Sequence, residues 1–327
     1  WNFTQGFLKN LTERLKLSVS FPEFEDRTTA QDALQEALKK GEFTIVWVDK
    51  AYLPYHKLGD SLHGYYNHQV AVYARDGRLW RLYIDDMSNQ LIEIREKQFS
   101  SARASLSQNN FLMMVIHEIE NINALELRGS IITGIKDCAT RLTRPMRTIG
   151  ISNLVNWSEK LLDRHDRLGW PQVFKNQSGL YSALRTVYES IKLNGTEGFA
   201  LRKLYSDFLH EAAGFLNNAA LNAIAGQYLQ LSNHWSNLAE NALPSKVPVF
   251  DQVKNLLNKK YKAYHESDFV TFEEVVADLY DLEGRIAADF PLNQTEVDGL
   301  YKRLASQIKL IAELEMSAAL RLRDVTK

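Results

Sequence analysis

Cysteine is almost absent from this 327-residue chain: Cys138 stands alone, so no disulfide can form within it. A fold without an internal disulfide fits a reducing compartment, and a cytoplasmic location is expected. Net charge is nearly absent too, at -1, with 39 basic and 40 acidic residues. No global basic field exists to hold a phosphate backbone, so nucleic acid is not an expected partner. Apolar runs stay well short of the roughly 20 residues that a bilayer span needs, and no membrane partner is expected. Gly-x-Gly-x-x-Gly, the P-loop, Gly-x-Ser-x-Gly and Cys-x-x-Cys are all missing. Nucleotide cradles, serine-hydrolase elbows and zinc knuckles therefore have no local signature here.

What is present is a composition that folds, with 45% hydrophobic and 11% aromatic residues. The first part reads as mixed α and β. Apolar spacing over residues 3–16 predicts a helix, and a second helix should start at Thr28 or Thr29 and stop at Gly41. Phe43 to Val48 is a near-continuous apolar run, which predicts a buried strand closed by Asp49-Lys50. An aromatic and histidine-rich loop follows to Asn67. Next, His68 to Tyr73 and Leu79 to Ile84 flank a turn at Arg75-Asp76-Gly77, which reads as a β-hairpin. Beyond about residue 95 the periodicity becomes helical, with helices expected near 97–118, 121–142, 151–168, 178–193, 198–216, 218–242, 247–264, 271–289 and 295–323. The fold class is thus α+β: a mixed domain with an antiparallel sheet over residues 1–110, then a larger all-helical domain over 111–327.

The hairpin carries the chemistry. It sets His68 at the start of one strand and Asp86 at the end of its partner, and antiparallel pairing brings those ends together. A carboxylate beside an imidazole fixes its tautomer and stabilises its charged form, as a base that activates a nucleophile requires. Asp85 competes for the acid role, since strand alternation gives only one of the two to the His68 face. Tyr52, Tyr55, Tyr65 and Tyr66 could line a substrate cleft or pack under the loop. His56, His63 and His68 are spaced too loosely for a zinc set, and a polar loop lining a cleft is the simpler reading. In the helical part, Arg202 and Glu211 lie on one predicted helix but project in different directions. Either could be offered to a polar substrate, or both could be solvated charges. Cys138 falls among Ile131, Ile132 and Ile135, where a buried structural thiol is expected.

Several ordered motifs resemble one family. Trp47-Val48-Asp49, Tyr52-Leu53-Pro54-Tyr55, His68-Gln69-Val70-Ala71-Val72-Tyr73 and Leu82-Tyr83-Ile84-Asp85-Asp86 resemble the N-terminal domain of the butirosin-biosynthesis BtrH-like acyltransferases. Arg202-Lys203-Leu204-Tyr205, with Phe208-Leu209 and Glu211-Ala212-Ala213, resembles the helical domain that follows it, and the likeness spans most of residues 1–245. The resemblance implies a papain-like cysteine fold related to bacteriocin-processing peptidases. It implies transfer of an acyl group from the phosphopantetheine thioester of an acyl carrier protein to a small-molecule amine, in antibiotic biosynthesis. It implies His68 as base and Asp86 as acid, with Met87 where the peptidases carry proline. No metal and no resident cofactor are expected, since the phosphopantetheine belongs to the partner. The family's cysteine, in an early helix, has no counterpart here. The chain opens on Trp1, not Met, so an earlier stretch could supply that cysteine. Without it the site is silent or uses another group. A peptidase or amide hydrolase with the same triad, and a silent binding protein of the same fold, are the alternative readings.

Overall fold

A computed structural model describes residues 4–55, 64, 67–83, 91–106, 111–118, 123–145, 150–193, 198–266 and 268–326. It divides into two compact units, Trp1–Leu127 with Tyr264–Phe269, and Arg128–Ala263 with Val270–Lys327. The fold is α+β, with the sheet in the first unit and helices throughout the second.

Among the described residues the first unit has six antiparallel strands: β1 (Ser18–Ser20), β2 (Phe43–Asp49), β3 (Asn67–Asp76), β4 (Leu79–Tyr83), β5 (Leu91–Arg95) and β6 (Met113–Glu118). Their order is β1-β6-β2-β3-β4-β5. Period-two alternation splits the central strands between two cores. Val46, Val48, Val70, Val72, Met113 and Val115 pack with Leu34 and Ala37 of α2 (Arg27–Lys39) and with Phe99 and Ala102 of α3 (Glu96–Ala104). Trp47 and Met114 face the other way, onto Leu8 of α1 (Thr4–Leu15). Both faces of β2 are covered, which is why its sequence reads as a continuous apolar run.

Three expectations need correction, two of them in this unit. The helix expected over 97–118 is the short α3 followed by strand β6, which lies between β1 and β2. The apolar run Met113-Met114-Val115 opens a strand buried on both faces, and such a run has no period to separate it from a buried helix. The cap of α2 is Asp26, not a threonine: its carboxylate accepts from the N–H groups of Thr28 at 2.8 Å and Thr29 at 3.0 Å. Those bonds, the Thr29 hydroxyl first, hold the Asp26 carboxyl below the ordinary carboxylate range. Gly41 does follow the helix end, at φ +77°. Arg103 of α3 ties the layer together from inside, donating to the carbonyls of Ala30 and Phe111, and burial pushes it down to about 10.

The remaining helices are α4 (Ala124–Thr143), α5 (Ser152–Lys160), α6 (Trp170–Val173), α7 (Leu180–Lys192), α8 (Arg202–Leu216), α9 (Ala219–Ala242), α10 (Pro248–His265), α11 (Phe269–Ala288) and α12 (Gln294–Val325). Leu184, Leu209, Leu221, Leu238, Phe250 and Val275 share one core with Leu300, Leu304, Ile308 and Ile311 of α12. The α12 stripe therefore closes the helical core. Asn293 and Glu296 form a capping box at its start. The helix expected over 151–168 stops at Lys160. Asp163 and Asp166 then accept backbone N–H groups of His165, Asp166 and Leu168 and turn the chain toward Gly169.

Candidate functional site

His68 sits second on β3, opposite Val48 of β2. Alternation gives it the same face as Val70 and Val72, which belong to the core under α2 and α3. The residue is half-buried and its Nε2 is buried. One register step away, Asp49 opposes Asn67 and is fully buried. Its carboxylate accepts from the N–H of Ala51 at 3.0 Å and from the N–H of Gly64. One buried acid thus fastens the segment leaving β2 to a glycine at φ +87° three residues before β3. Sequence reasoning passed over Asp49 as a mere strand terminator. The overlooked signal is an acid directly after an apolar run and directly before a tight turn, where an Asx-type bond forms.

Lys50–Tyr52 makes that turn as a single 3₁₀ coil. Tyr52 comes out half-buried against the α2–α3 core, while Leu53 and Tyr55 are inside it. Tyr55 is 6% exposed, so its ring is packing in this structure. His56, His63, Tyr65, Tyr66, Asp85 and Asp86 lie outside the described residues. Among the described residues no group of three or more His, Cys, Asp or Glu is placed to hold a metal ion.

The hairpin beyond His68 is longer than its sequence suggests. Strand β3 runs through Asp76, which pairs with Leu79, leaving a two-residue loop of Gly77 and Arg78. Gly77 is at φ +56°, in the first loop position where a type II′ turn places glycine. The register slips once: Ala74 opposes Arg81 but Val72 opposes Leu82, which makes Tyr73 a bulge residue. After the bulge the described ladder ends at Ala71 opposite Tyr83.

Arg202 and Glu211 share α8 but serve different surroundings. Arg202 turns into the helical unit, where its Nε donates to Glu315 at 2.6 Å and its guanidinium lies 5.1 Å from the Trp235 ring. Glu315 is completely buried and also accepts from the Trp235 indole at 2.9 Å. Cys138 belongs to the same neighbourhood, close to Tyr205 and Arg202, and burial pushes its thiol up. Burial likewise raises Tyr205 and Tyr228, whose rings meet edge to face at 4.7 Å. Cys138 is half-buried, less enclosed than its apolar sequence neighbours suggest, and its raised thiol stays in the poorly nucleophilic neutral form. Glu211 is exposed and lines an open groove with Leu204, Phe208, Asn222 and Leu229. Glu315 was hidden from sequence reasoning inside the apolar stripe of α12.

No helix among the described residues is long and apolar enough to cross a membrane. Residues 2–87 match the family model described as butirosin biosynthesis protein H, N-terminal. Residues 97–259 match a second model, described as a domain of unknown function (DUF4872). No curated protein matches the chain.

Proposed function

The N-terminal part of this chain belongs to the butirosin biosynthesis protein H N-terminal family, and from that premise we propose an acyltransferase that moves an acyl group from an acyl-carrier thioester to an amine. The observation that carries the reading is the span of the family match, since residues 2–87 contain both His68 and Asp86. The strand register supports the pairing. In an antiparallel ladder each step back along one strand is a step forward along the other. The described ladder runs to Ala71 opposite Tyr83, each three positions in sequence from His68 and Asp86.

In this reading a thiolate from outside these 327 residues is the nucleophile, because Cys138 is a half-buried thiol of the helical unit whose surroundings push it toward the neutral form. His68 takes the thiol proton, and the thiolate attacks the thioester carbonyl. The pantetheine thiol leaves with that proton, and the acceptor amine then displaces the enzyme sulfur. Asp86 holds the imidazole in the tautomer that can accept the proton. Tyr52, half-buried just after β2, is proposed to bound the acyl group, together with His63 and Tyr66 of the sequence that leads to β3. The carrier protein brings the phosphopantetheine, and no resident cofactor or metal is required.

Full-length protein incubated with an acyl-carrier thioester should accumulate a covalent acyl adduct. His68→Ala should slow its formation roughly a hundred- to ten-thousand-fold. An adduct formed at an unchanged rate removes His68 from the mechanism. If added amine leaves the rate and products unchanged, the site is a hydrolase rather than a transferase.

A further inference from the structure

A second constellation lies at the opposite end of β2 from His68, in residues the proposed acyl transfer does not use. Ser20 ends β1 and opposes Val115, while Phe43 opposes Ile116. Ser20 and His117 are therefore diagonal neighbours on adjacent strands, and Glu42 comes up beside His117 from the start of β2. Glu42 is held there by its own backbone, whose N–H donates to the Ala37 carbonyl at 3.0 Å just after Gly41 ends α2. The side chains form a continuous line: Ser20 Oγ is 2.8 Å from His117 Nε2, and His117 Nδ1 is 2.7 Å from Glu42 Oε1.

The direction of those bonds is dictated by chemistry. An ionised carboxylate can only accept, so Nδ1 carries the hydrogen and donates to Glu42. Nε2 of the neutral ring is then an acceptor, and the Ser20 hydroxyl donates to it. A hydroxyl on an imidazole whose far nitrogen is oriented by a carboxylate is the arrangement that makes serine nucleophilic. Ser20 is half-buried and His117 is 41% exposed, so solvent and a small substrate can reach the line.

We propose that Ser20 is a nucleophile, with His117 as its general base and Glu42 as the orienting carboxylate, acting on small activated esters. Ser20 Oγ bonds to the ester carbonyl carbon as its proton passes to His117 Nε2. The bond to the leaving alkoxide breaks, and that oxygen takes the proton from His117. Water then adds to the acyl-serine, giving its proton to His117. The acid is released as Ser20 Oγ regains a proton, so the net reaction is ester plus water to acid plus alcohol. The site is independent of the His68 reading, and either can fail without the other.

Labelling with a fluorophosphonate probe, followed by peptide mass mapping, tests the assignment. One label is expected on Ser20, with parallel turnover of p-nitrophenyl acetate. Ser20→Ala and His117→Gln should each abolish both signals, and Glu42→Gln should slow both more than tenfold. Wild-type protein that takes no label, or His117→Gln protein labelled at the wild-type rate, overturns the proposal. As a check independent of folding in Ser20→Ala, the Ser20→Cys variant should react with iodoacetamide at least tenfold faster than Cys138. Adding His117→Gln should remove that advantage, and equal rates with and without His117 would also overturn it.

Discussion

Removing the Arg202 guanidinium is the sharpest test of how the helical unit is held together. Glu315 is completely buried, and Arg202 is its charge partner at 2.6 Å, with a side chain 25% exposed. Arg202→Met keeps the stem and deletes the charge. The Glu315 carboxylate keeps the hydrogen bond from the Trp235 N–H, and its Oε2 accepts none among the described residues even in the native protein. Taking one member from a buried ion pair costs about 3–5 kcal/mol, because the survivor keeps its desolvation and loses its attraction. The partial exposure of Arg202 argues for the low end, about 3 kcal/mol. A second contribution acts through the backbone. Arg202 Nη1 donates to the carbonyl of Ala200 at 2.8 Å, and both Ala200 and Leu201 are at positive φ, +49° and +64°. Non-glycine residues tolerate that region only when their surroundings hold them there. For a unit of this size, 3 kcal/mol corresponds to a fall in Tm of roughly 6–12 °C. Urea unfolding followed by far-UV circular dichroism reads it directly, since this unit holds most of the helix. Arg202→Met with Glu315→Gln is the control. The carboxamide still accepts from Trp235 and carries no charge, so the double variant should be more stable than the sum of the two single losses implies, by about 2 kcal/mol. A single-variant loss below about 1 kcal/mol, or strict additivity, would refute the claim that this is a tightly coupled buried pair.

Two further substitutions probe backbone anchoring. Asp49→Ala strips the acceptor from the N–H groups of Ala51 and Gly64, and should cost about 2–4 kcal/mol at one or more per orphaned donor; hydrogen exchange at Ala51 and Gly64 should quicken while the amides of β6 stay protected. Gly169→Ala puts a Cβ 1.9 Å from the Asp163 carbonyl oxygen, so the turn between α5 and α6 must open; a loss above about 2 kcal/mol is expected by calorimetry, and a neutral outcome would mean the Asp163–Gly169 turn is not rigid.

How much of this was legible beforehand follows from what periodicity can carry. The strand Phe43–Val48, the last helix expected near 295–323, and the stop at Gly41 were read correctly, because each is a local pattern with one physical cause. The hairpin was read in kind but not in length, since nothing local announces the bulge at Tyr73. Strand β6 was lost to helix because a run buried on both faces has no period at all.

The polar contacts failed for a different reason. Period tells which way a side chain faces, but not which distant residue it will meet. Arg202 and Glu315 stand 113 positions apart, and Ser20 and His117 stand 97 apart. No local pattern names either pairing, even though Arg202 was itself a candidate residue. His68 and Asp86 were paired from the sequence because a tight turn makes their separation a local matter, readable from a hairpin alone. A sequence reader will therefore favour sites spanned by one hairpin over sites assembled from several strands. By bond geometry alone, the line from Ser20 through His117 to Glu42 is the more fully specified of the two in this chain. Its three side chains and both connecting bonds are in the described structure, which is why its chemistry can be put to the test with the 327 residues as they stand.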